Sequence, residues 1–293
     1  FADLSYTQHS LQSEIAPYAI GCVAAFAKAQ LGEKMKIRLF KRPEKLIAAL
    51  EEAPPDVLAF SAYAWNFRLS LAVAQAVKNR FPKTVVVFGG PNYPSDPASQ
   101  EAFLRQHASI DFFIPGEGEA PFLELAKRLL DTNFSKAALR DLEGVHFIDS
   151  CNDLVNLPSP TARNADLSDM PSPYLMGLLD EFIDDGFQPI VQTSRGCPFS
   201  CSFCSEGDPY FSHVAHRPLS LVSRELHYIG VRMAPRVIEG KRADLFIADS
   251  NFGMFSKDVE VGQILRECQD KYNWPQFISV ATGKNKKENV IET

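Results

Sequence analysis

Three cysteines crowd into one short polar loop of this chain. Residues 197–204 read Cys-Pro-Phe-Ser-Cys-Ser-Phe-Cys, a C-x3-C-x2-C spacing that directly follows the β-rich run 190–193. Three thiolates leave a four-ligand metal site one ligand short, so an iron-sulfur cluster bound here would keep one iron free for an outside ligand. The loop is therefore a candidate reaction centre at the end of a strand.

Three different roles for these cysteines stay open from the residues alone, although each fits less well. Six cysteines in 293 residues are few for a disulfide scaffold, which is small and rich in cysteine. A structural zinc ion needs four ligands, and the fourth would have to come from His213, His216 or a distant cysteine. Buried, unliganded cysteines belong in a core, whereas this loop is polar and rich in Gly, Pro and Ser.

The rest of the second half follows the β-α-β-α-β order of a parallel barrel. Apolar spacing predicts helices over 221–233 and 259–272 and strands over 244–249 and 277–281. Active-site residues of such barrels lie at the carboxyl ends of the strands. The polar strand ends here are 193–194, 249–251 and 282–285.

Only part of a barrel fits into this length of chain. After Cys204 about 90 residues remain, enough for roughly half of a six-unit barrel. We therefore expect residues 186–293 to be the N-terminal part of a truncated barrel, and the natural chain to continue beyond Thr293.

The first half predicts a separate α/β domain over 1–150. Its short apolar strands are predicted at 1–4, 36–40, 57–60, 84–88 and 111–114. The helices between and after them are predicted at 14–31, 43–52, 68–80, 97–106 and 119–130. Five β-α units with continuous apolar strands predict a doubly wound, Rossmann-like parallel sheet. The Pro-, Asn- and Ser-rich segment 151–185 is predicted to connect the two domains.

Open parallel sheets bind ligands beyond the carboxyl ends of their strands, near a switch in strand order. The loops expected there are 5–10, 61–66, 89–92 and 115–119. Two of them carry pairs of glycines, which let a backbone approach a ligand closely. A tight turn would explain the same glycines.

The C-x3-C-x2-C motif with an aromatic residue before its last cysteine resembles that of radical S-adenosylmethionine enzymes. The resemblance implies that Cys197, Cys201 and Cys204 bind a [4Fe-4S] cluster whose free iron chelates S-adenosylmethionine, with Phe203 against the adenine. It places Asp249 and Asn251 where polar groups of the family contact the methionyl moiety or ribose. One-electron transfer from the cluster would then cleave S-adenosylmethionine to methionine and a 5'-deoxyadenosyl radical.

Upstream of that motif, the first half resembles the cobalamin-binding domain of the cobalamin-dependent branch of this superfamily. The similar features are a Ser-x-Tyr-x-Trp-Asn loop, a Gly-Gly-Pro loop and a Pro-Gly-Glu-Gly-Glu loop. The resemblance implies a cobalamin between the sheet edge and the barrel mouth, near Ser61, Tyr63, Trp65, Asn66, Gly89, Gly90 and Pro91. The Asp-x-His-x-x-Gly loop that supplies a cobalt-ligating histidine elsewhere is absent. His9 has a different spacing, so we expect no histidine on the lower face of the cobalamin.

The resemblance implies a methyltransferase that acts on an unactivated carbon or phosphorus of a small molecule or peptide. Methylcobalamin would donate the methyl group, and an external reductant such as flavodoxin or ferredoxin would supply single electrons. Other members cyclise or rearrange their substrates. Two further alternatives are a cobalamin-free radical enzyme whose first domain serves for docking, and a non-enzymatic iron-sulfur or zinc-binding regulator.

Composition favours a cytoplasmic enzyme without a nucleic-acid or membrane partner. Apolar residues make up 45% of the chain and charged residues 23%, as in globular proteins with a substantial core. No apolar run approaches the ~20 residues that span a bilayer. The net charge is −6, and lysines cluster only at Lys284, Lys286 and Lys287, whereas phosphate backbones need a concentrated basic surface. A reducing cytosol preserves thiolates and iron-sulfur clusters.

Overall fold

Helices alternate with parallel strands in the computed structural model of the chain, an α/β fold. The structure describes residues 1–6, 14–132, 134, 139–157, 166–241, 243–283 and 285–293. It divides into two units, one made of Phe1–Ser13 and Ala19–Thr161 and the other of Glu14–Tyr18 and Ala162–Thr293. Within the described residues, we find no helix that combines the length and apolar character of a membrane span.

The first unit contains five helices and three parallel strands, followed by a short hairpin, within its described residues. The helices are α1 (Tyr18–Leu31), α2 (Pro43–Glu52), α3 (Phe67–Arg80), α4 (Pro97–Gln106) and α5 (Glu119–Asp131). The parallel strands are β1 (Val57–Ser61), β2 (Val85–Gly89) and β3 (Phe112–Ile114), and the hairpin is β4 (Phe147–Ile148) with β5 (Leu154–Val155).

The strand order of this sheet creates a switch point beside β1. The strands pair as β1-β2-β3, and Ala2 makes parallel bridges to both Phe40 and Phe60. The order across the sheet is therefore Phe40, Ala2, β1, β2, β3, which is the 2-1-3-4-5 order of flavodoxin-like folds. The switch lies between the Ala2 segment and β1, where such folds bind their ligands.

The first two predicted strands are shorter than the sequence suggested. The segments 1–4 and 36–40 form bridges at Ala2 and Phe40. Backbone hydrogen bonds such as Asp3 N–H to the Phe40 carbonyl (2.9 Å) and Ser61 N–H to the Ala2 carbonyl (3.0 Å) place both segments in the sheet, over a shorter stretch than expected. The predicted helix over 14–31 begins only at Tyr18. Pro17 disfavours a helical backbone at the residue before it, and Ile15 instead bridges to Gln188.

Two hydrophobic layers cover the two faces of the first sheet. One packs apolar residues of α2, α3 and α4 against Leu58, Phe60, Val86 and Phe88. The other packs α1 and α5 against Ala59, Val85, Val87 and Phe112. Because successive strand residues point to opposite faces, this division gives helices on both sides, as a doubly wound sheet requires.

The second unit contains a second parallel sheet with strand order β10-β9-β6. Its elements are α6 (Asp180–Asp184), β6 (Ile190–Val191), β7 (Ser194–Arg195), β8 (Ala215–His216), α7 (Leu219–Ile238), β9 (Asp244–Phe252), α8 (Ser256–Tyr272), β10 (Phe277–Thr282) and α9 (Lys287–Glu292). The predicted β-α-β-α-β order is confirmed over β6, α7, β9, α8 and β10. The three strands form an open sheet, and closure into a barrel stays a prediction.

Strand β6 is two residues shorter than expected. The backbone N–H of Thr193 donates to the side chain of Asp249 (2.7 Å) and not to a neighbouring strand. Ser194 and Arg195 then pair antiparallel with His216 and Ala215. A side-chain acceptor thus ends the ladder and turns the chain into the cysteine loop.

Part of the predicted connector 151–185 is anchored to the second sheet. Tyr174 is fully buried, and its hydroxyl donates to the carbonyl of Ile190 (2.9 Å) and accepts from the N–H of Ile190 (3.1 Å). This double hydrogen bond fixes the segment at the start of β6. Residues 158–165 of the connector lie outside the described residues.

Candidate functional site

A buried network of polar side chains fixes the loop after β1 at the switch point. The carboxylate of Asp3 accepts from Ser61 Oγ (2.6 Å), Asn66 Nδ2 (3.0 Å) and Lys41 Nζ (2.7 Å). Asn66 also donates to Ser61 Oγ (2.9 Å) and accepts from the backbone N–H of Tyr63 (2.9 Å). Since Lys41, Ser61 and Asn66 are all buried, these side chains hold the loop in one conformation.

Two stacked aromatic rings form an exposed surface on this loop, here called the aromatic ledge (Tyr63 and Trp65). The ring centroids lie 4.6 Å apart and the planes are 5° from parallel. Trp65 is 50% exposed. Burial, with a smaller contribution from the charge of Asp3, raises the pKa of Tyr63 to about 12, so its hydroxyl is neutral at physiological pH. The ledge is a flat apolar surface suited to stacking against a planar ligand.

The Gly-Gly-Pro loop after β2 is tied to the loop after β1 by close backbone packing. Ala62 N–H donates to the carbonyl of Gly89 (2.7 Å), and Asn92 N–H donates to the carbonyl of Ala62 (3.1 Å). Gly90 has a φ of +129°, and a Cβ there would lie 2.8 Å from the Ala62 carbonyl oxygen. Gly90 is therefore required by this contact between loops. Pro91 is exposed at the tip.

The three motif cysteines lie at different depths in the second unit. All are free thiols; Cys197 is buried, Cys201 is half-buried and Cys204 is exposed. Phe203 points into solvent, with 89% of its surface exposed. Among the described residues, no group of three or more His, Cys, Asp or Glu side chains is close enough together to bind a metal ion. His213 and His216, considered above as a fourth zinc ligand, belong to no such group either.

Backbone contacts shape the cysteine loop. Cys197 N–H donates to the carbonyl of Phe211 (2.9 Å), Cys204 N–H to that of Cys201 (3.1 Å) and Gly207 N–H to that of Cys204 (3.0 Å). A Cβ at Gly207 would collide with the backbone carbonyl of Cys201, so only glycine fits there. The loop thus turns tightly between Cys201 and Gly207.

Asp249 and Asn251 follow the apolar part of β9 and lie on the face of that strand that is buried. The carboxylate of Asp249 accepts from the backbone N–H of Thr193 (2.7 Å), from Thr193 Oγ1 (2.5 Å) and from Ser194 Oγ (2.9 Å). Burial raises the pKa of Asp249 to about 6, against the opposing effect of these hydrogen bonds. Asn251 Nδ2 donates to Cys197 Sγ (3.2 Å). Both side chains therefore contact the segment that leads into the cysteine loop.

The sequence interpretation missed three residues that these contacts single out. Asp3 and Lys41 are 38 positions apart and meet as a buried ion pair. Arg217, after β8, makes a buried ion pair with Glu225 and donates to the hydroxyl of Tyr18 (2.9 Å). The available signal for Asp3 was an acidic residue within the otherwise apolar first predicted strand. His9 lies outside the described residues.

A family model described as the B12 binding domain matches residues 8–126. The chain is 34% identical over 266 residues to the cobalamin-dependent radical SAM methyltransferase TokK of Streptomyces tokunonensis. It is 32% identical over 266 residues to the 2-(S-pantetheinyl)-carbapenam-3-carboxylate methyltransferase of Streptantibioticus cattleyicolor. Each match covers 86% of this chain and 36% of the relative, so the chain spans about a third of the length of these relatives.

Solved structures share the fold. One is the cobalamin-dependent S-adenosylmethionine radical enzyme OxsB with aqua-cobalamin bound, at a TM-score of 0.66 and 16% sequence identity. The match covers 99% of this chain and 40% of the OxsB chain. Another is the radical S-adenosylmethionine methyltransferase TsrM of Kitasatospora setae with cobalamin and a [4Fe-4S] cluster bound, at a TM-score of 0.59 and 17% sequence identity. The match covers 94% of this chain and 52% of the TsrM chain. At such identities the likeness concerns the fold. The family model and the curated relatives assign the chain to the cobalamin-binding radical S-adenosylmethionine enzyme family.

Proposed function

We propose that this chain carries the cobalamin site and the cluster-binding loop of a radical S-adenosylmethionine methyltransferase. The proposed substrate is a small molecule or peptide with an unactivated carbon or phosphorus that accepts the methyl group. The main support for the proposal is that three free thiols with C-x3-C-x2-C spacing follow a parallel strand. These thiols lie downstream of the segment that matches the B12 binding domain. The two curated relatives are both named as methyltransferases.

The aromatic ledge is the proposed contact surface for cobalamin. It lies beside the switch point of the first sheet, where ligands of such folds bind, and it offers an exposed ring for a planar macrocycle. Gly89, Gly90 and Pro91 are proposed to line the neighbouring loop. Ser61 and Asn66 are buried in the network of Asp3, so their proposed role is to hold the ledge in place.

Cys197, Cys201 and Cys204 are the proposed ligands of a [4Fe-4S] cluster. The donor chemistry fits, because thiolates are the ligands of such clusters and these three thiols are free. When bound, the cluster would supply the electron that cleaves S-adenosylmethionine and generates the radical. Cys197 would provide the buried ligand, and the turn between Cys201 and Gly207 would bring in the other two sulfurs.

The other residues around the loop have proposed supporting roles. Phe203 is exposed and free to lie against the adenine of S-adenosylmethionine. Asp249 would hold the start of the loop through its hydrogen bonds with Thr193 and Ser194. Because these bonds occupy its carboxylate, little capacity remains for a contact with S-adenosylmethionine. A one-electron reductant such as flavodoxin or ferredoxin is the proposed partner, and the cytoplasm the proposed location.

The test is an absorption spectrum of the anaerobically reconstituted protein. The chain is exposed to iron, sulfide and hydroxocobalamin, desalted, and compared with a triple Cys197→Ala, Cys201→Ala, Cys204→Ala variant. We expect broad iron-sulfur absorption in the parent only and corrinoid bands in both proteins. A cluster without corrinoid would replace the proposal by a cobalamin-free radical enzyme. Corrinoid without a cluster in the parent would contradict the radical chemistry.

A second assay addresses the methyltransferase activity. The reconstituted chain is incubated with reductant, hydroxocobalamin and S-adenosylmethionine that carries a labelled methyl group, and the label in the corrinoid fraction is counted. We expect label in the parent corrinoid and less of it when Trp65 is replaced by Ala, because less corrinoid is bound. An unlabelled corrinoid that stays bound to the parent would contradict the methyltransferase assignment.

A further inference from the structure

One hydrogen bond joins the second sheet directly to a predicted cluster ligand. Asn251 Nδ2 donates to Cys197 Sγ at 3.2 Å, within the range for a bond to sulfur. Asn251 is 3% exposed and Cys197 is 7% exposed, so water does not compete for this contact. Cys197 is the most buried of the three motif cysteines.

Further hydrogen bonds fix the positions of both Asn251 and Cys197. Asn251 lies near the end of β9, and its carbonyl accepts from the N–H of Met254 (3.2 Å) in the turn that follows. Two positions earlier on the same face of β9, Asp249 binds Thr193 and Ser194. Cys197 is itself fixed by its N–H bond to Phe211. The amide and the sulfur are therefore pre-positioned.

We propose that Asn251 is a positioning residue that tunes the reduction potential of the cluster through the sulfur of Cys197. The inference rests on the proposed function and changes the role that the sequence predicted, from a contact with S-adenosylmethionine to a contact with a ligand sulfur. Hydrogen bonds to cluster sulfurs are among the determinants of cluster potential. The N–H dipole stabilises negative charge on sulfur, and the reduced cluster carries more of it, so the bond raises the potential.

The amide of Asn251 suits this role because it donates a hydrogen bond without a charge of its own. A lysine or arginine would add a full positive charge beside the cluster, and a carboxylate would repel the sulfur. The donor also does not titrate near neutral pH. The contact therefore sets the potential independently of pH.

The test compares Asn251→Leu with the parent, both as reconstituted full chains without S-adenosylmethionine. Leu has the same number of side-chain heavy atoms and the same branching as Asn, and no donor. The midpoint potential is measured by redox titration followed by electron paramagnetic resonance, and iron content is measured alongside. We expect a more negative midpoint potential in Asn251→Leu with unchanged iron content. An unchanged midpoint potential would overturn the inference while leaving the proposed function intact.

Asn289→Leu is the matched control. Asn289 Nδ2 donates to the carbonyl of Met254 (2.9 Å) in the turn after β9, so the same chemical change removes a nearby bond that does not reach sulfur. We expect the parent potential. An equal shift in this control would overturn the inference, because the effect would then come from the turn.

Asn251→Asp is the second variant if Asn251→Leu assembles no cluster. It keeps the shape of the side chain and replaces the donor by a carboxylate oxygen, so we again expect a more negative potential. Loss of the cluster from both variants, with normal iron in Asn289→Leu, would overturn the tuning role in favour of an assembly role. A parent that binds no cluster would overturn the proposed function itself.

Discussion

Each of the two units uses one aspartate to tie neighbouring segments of a parallel sheet together, but the partners differ. Asp3 holds Ser61 and Asn66 and is neutralised by Lys41 at 2.7 Å. The described hydrogen bonds of Asp249 come only from the neutral groups of Thr193 and Ser194. Accordingly, burial raises the pKa of Asp249 to about 6.

This difference extends to the proposed binding surfaces. In the first unit the network around Asp3 fixes the loop that carries the aromatic ledge, so a ligand meets a formed surface. In the second unit Cys197 is buried and hydrogen-bonded, whereas Cys204 is exposed. We expect the first site to bind its cofactor whether or not the second is loaded, because the network that holds the aromatic ledge lies within the first unit.

The largest effect is expected from the loss of a cluster ligand. Replacing Cys197, Cys201 or Cys204 by Ala singly should abolish nearly all iron-sulfur absorption, because cysteine thiolates hold the irons of such clusters and each substitution removes one of the three that the loop offers. Corrinoid binding should be unchanged, because the aromatic ledge belongs to the other unit. Iron and corrinoid content after desalting measure both effects.

Cys151→Ala is the control for this series. Cys151 is an exposed free thiol outside the motif, so its loss should leave the iron content at the parent level. A cluster that survives any of the three motif substitutions would contradict the assignment of the cluster to these three cysteines of the second unit.

Breaking the ion pair in the first unit should have the next largest effect. Asp3→Ala leaves Lys41 buried without its carboxylate, and removing one partner of a buried pair typically costs about 3–5 kcal/mol. The free energy of unfolding from a urea titration should fall by that amount, and corrinoid retention should fall with it as the ledge loses its support.

Glu51→Ala provides the matched control for Asp3→Ala. Its ion pair with Arg80 is 3.7 Å long, and both side chains are more than half exposed, so its loss should change the unfolding free energy by less than about 1 kcal/mol. Equal effects of the two substitutions would mean that the network around Asp3 does not stabilise the first unit.

The stability of the second unit should depend on pH through Asp249. The folded-state pKa of Asp249 is about 6, against 3.8 for an ordinary aspartate. Its contribution to stability is therefore complete below about pH 4 and is lost as the pH rises through about 6, on the order of 3 kcal/mol in total. Asp249→Asn should remove this pH-dependent loss. The free energy of unfolding of the variant, relative to that of the parent, should therefore increase as the pH rises from 4 to 7.

Urea titrations at several pH values measure this difference. Asp270→Asn is the control, because Asp270 pairs with Arg266 on the exposed surface of α8 and should leave the pH profile of the parent unchanged. A profile of Asp249→Asn that runs parallel to that of the parent would contradict a raised pKa at this carboxylate.

The smallest expected effect concerns the aromatic ledge alone. Trp65→Ala removes one exposed ring while leaving the buried network intact, so corrinoid affinity should fall about tenfold, equivalent to about 1.4 kcal/mol. Trp65→Phe keeps an aromatic face and should retain most of the affinity. Titration with hydroxocobalamin measures both. Equal affinities of parent and Trp65→Ala would exclude the ledge as the contact surface.

Local signals in the sequence predicted most helices and central strands. Pro43 and Pro97 mark helix starts that the structure confirms, because proline is accommodated in the first turn of a helix. Strand β2 coincides with a continuous apolar run in the sequence, and its residues are buried as such a run predicts. The spacing of the three cysteines likewise singled out the loop after β6.

Contacts between distant residues account for what the sequence did not reveal. Strand β6 ends early because Asp249, 56 positions away, accepts the N–H of Thr193. The segments at Ala2 and Phe40 belong to the first sheet, but their pairing covers fewer residues than their apolar pattern predicts. No local pattern shows that Asn251 reaches the sulfur of Cys197, since that contact depends on the packing of β9 against the loop.

The most direct test of the account is the cofactor content of the desalted protein, measured once without iron and once after reconstitution with iron and sulfide. We predict roughly one corrinoid per chain in both samples and roughly four irons per chain only in the second. This result would show a cobalamin site that is formed independently of the cluster. A metal-free protein that retains no corrinoid until the cluster assembles would contradict the claim.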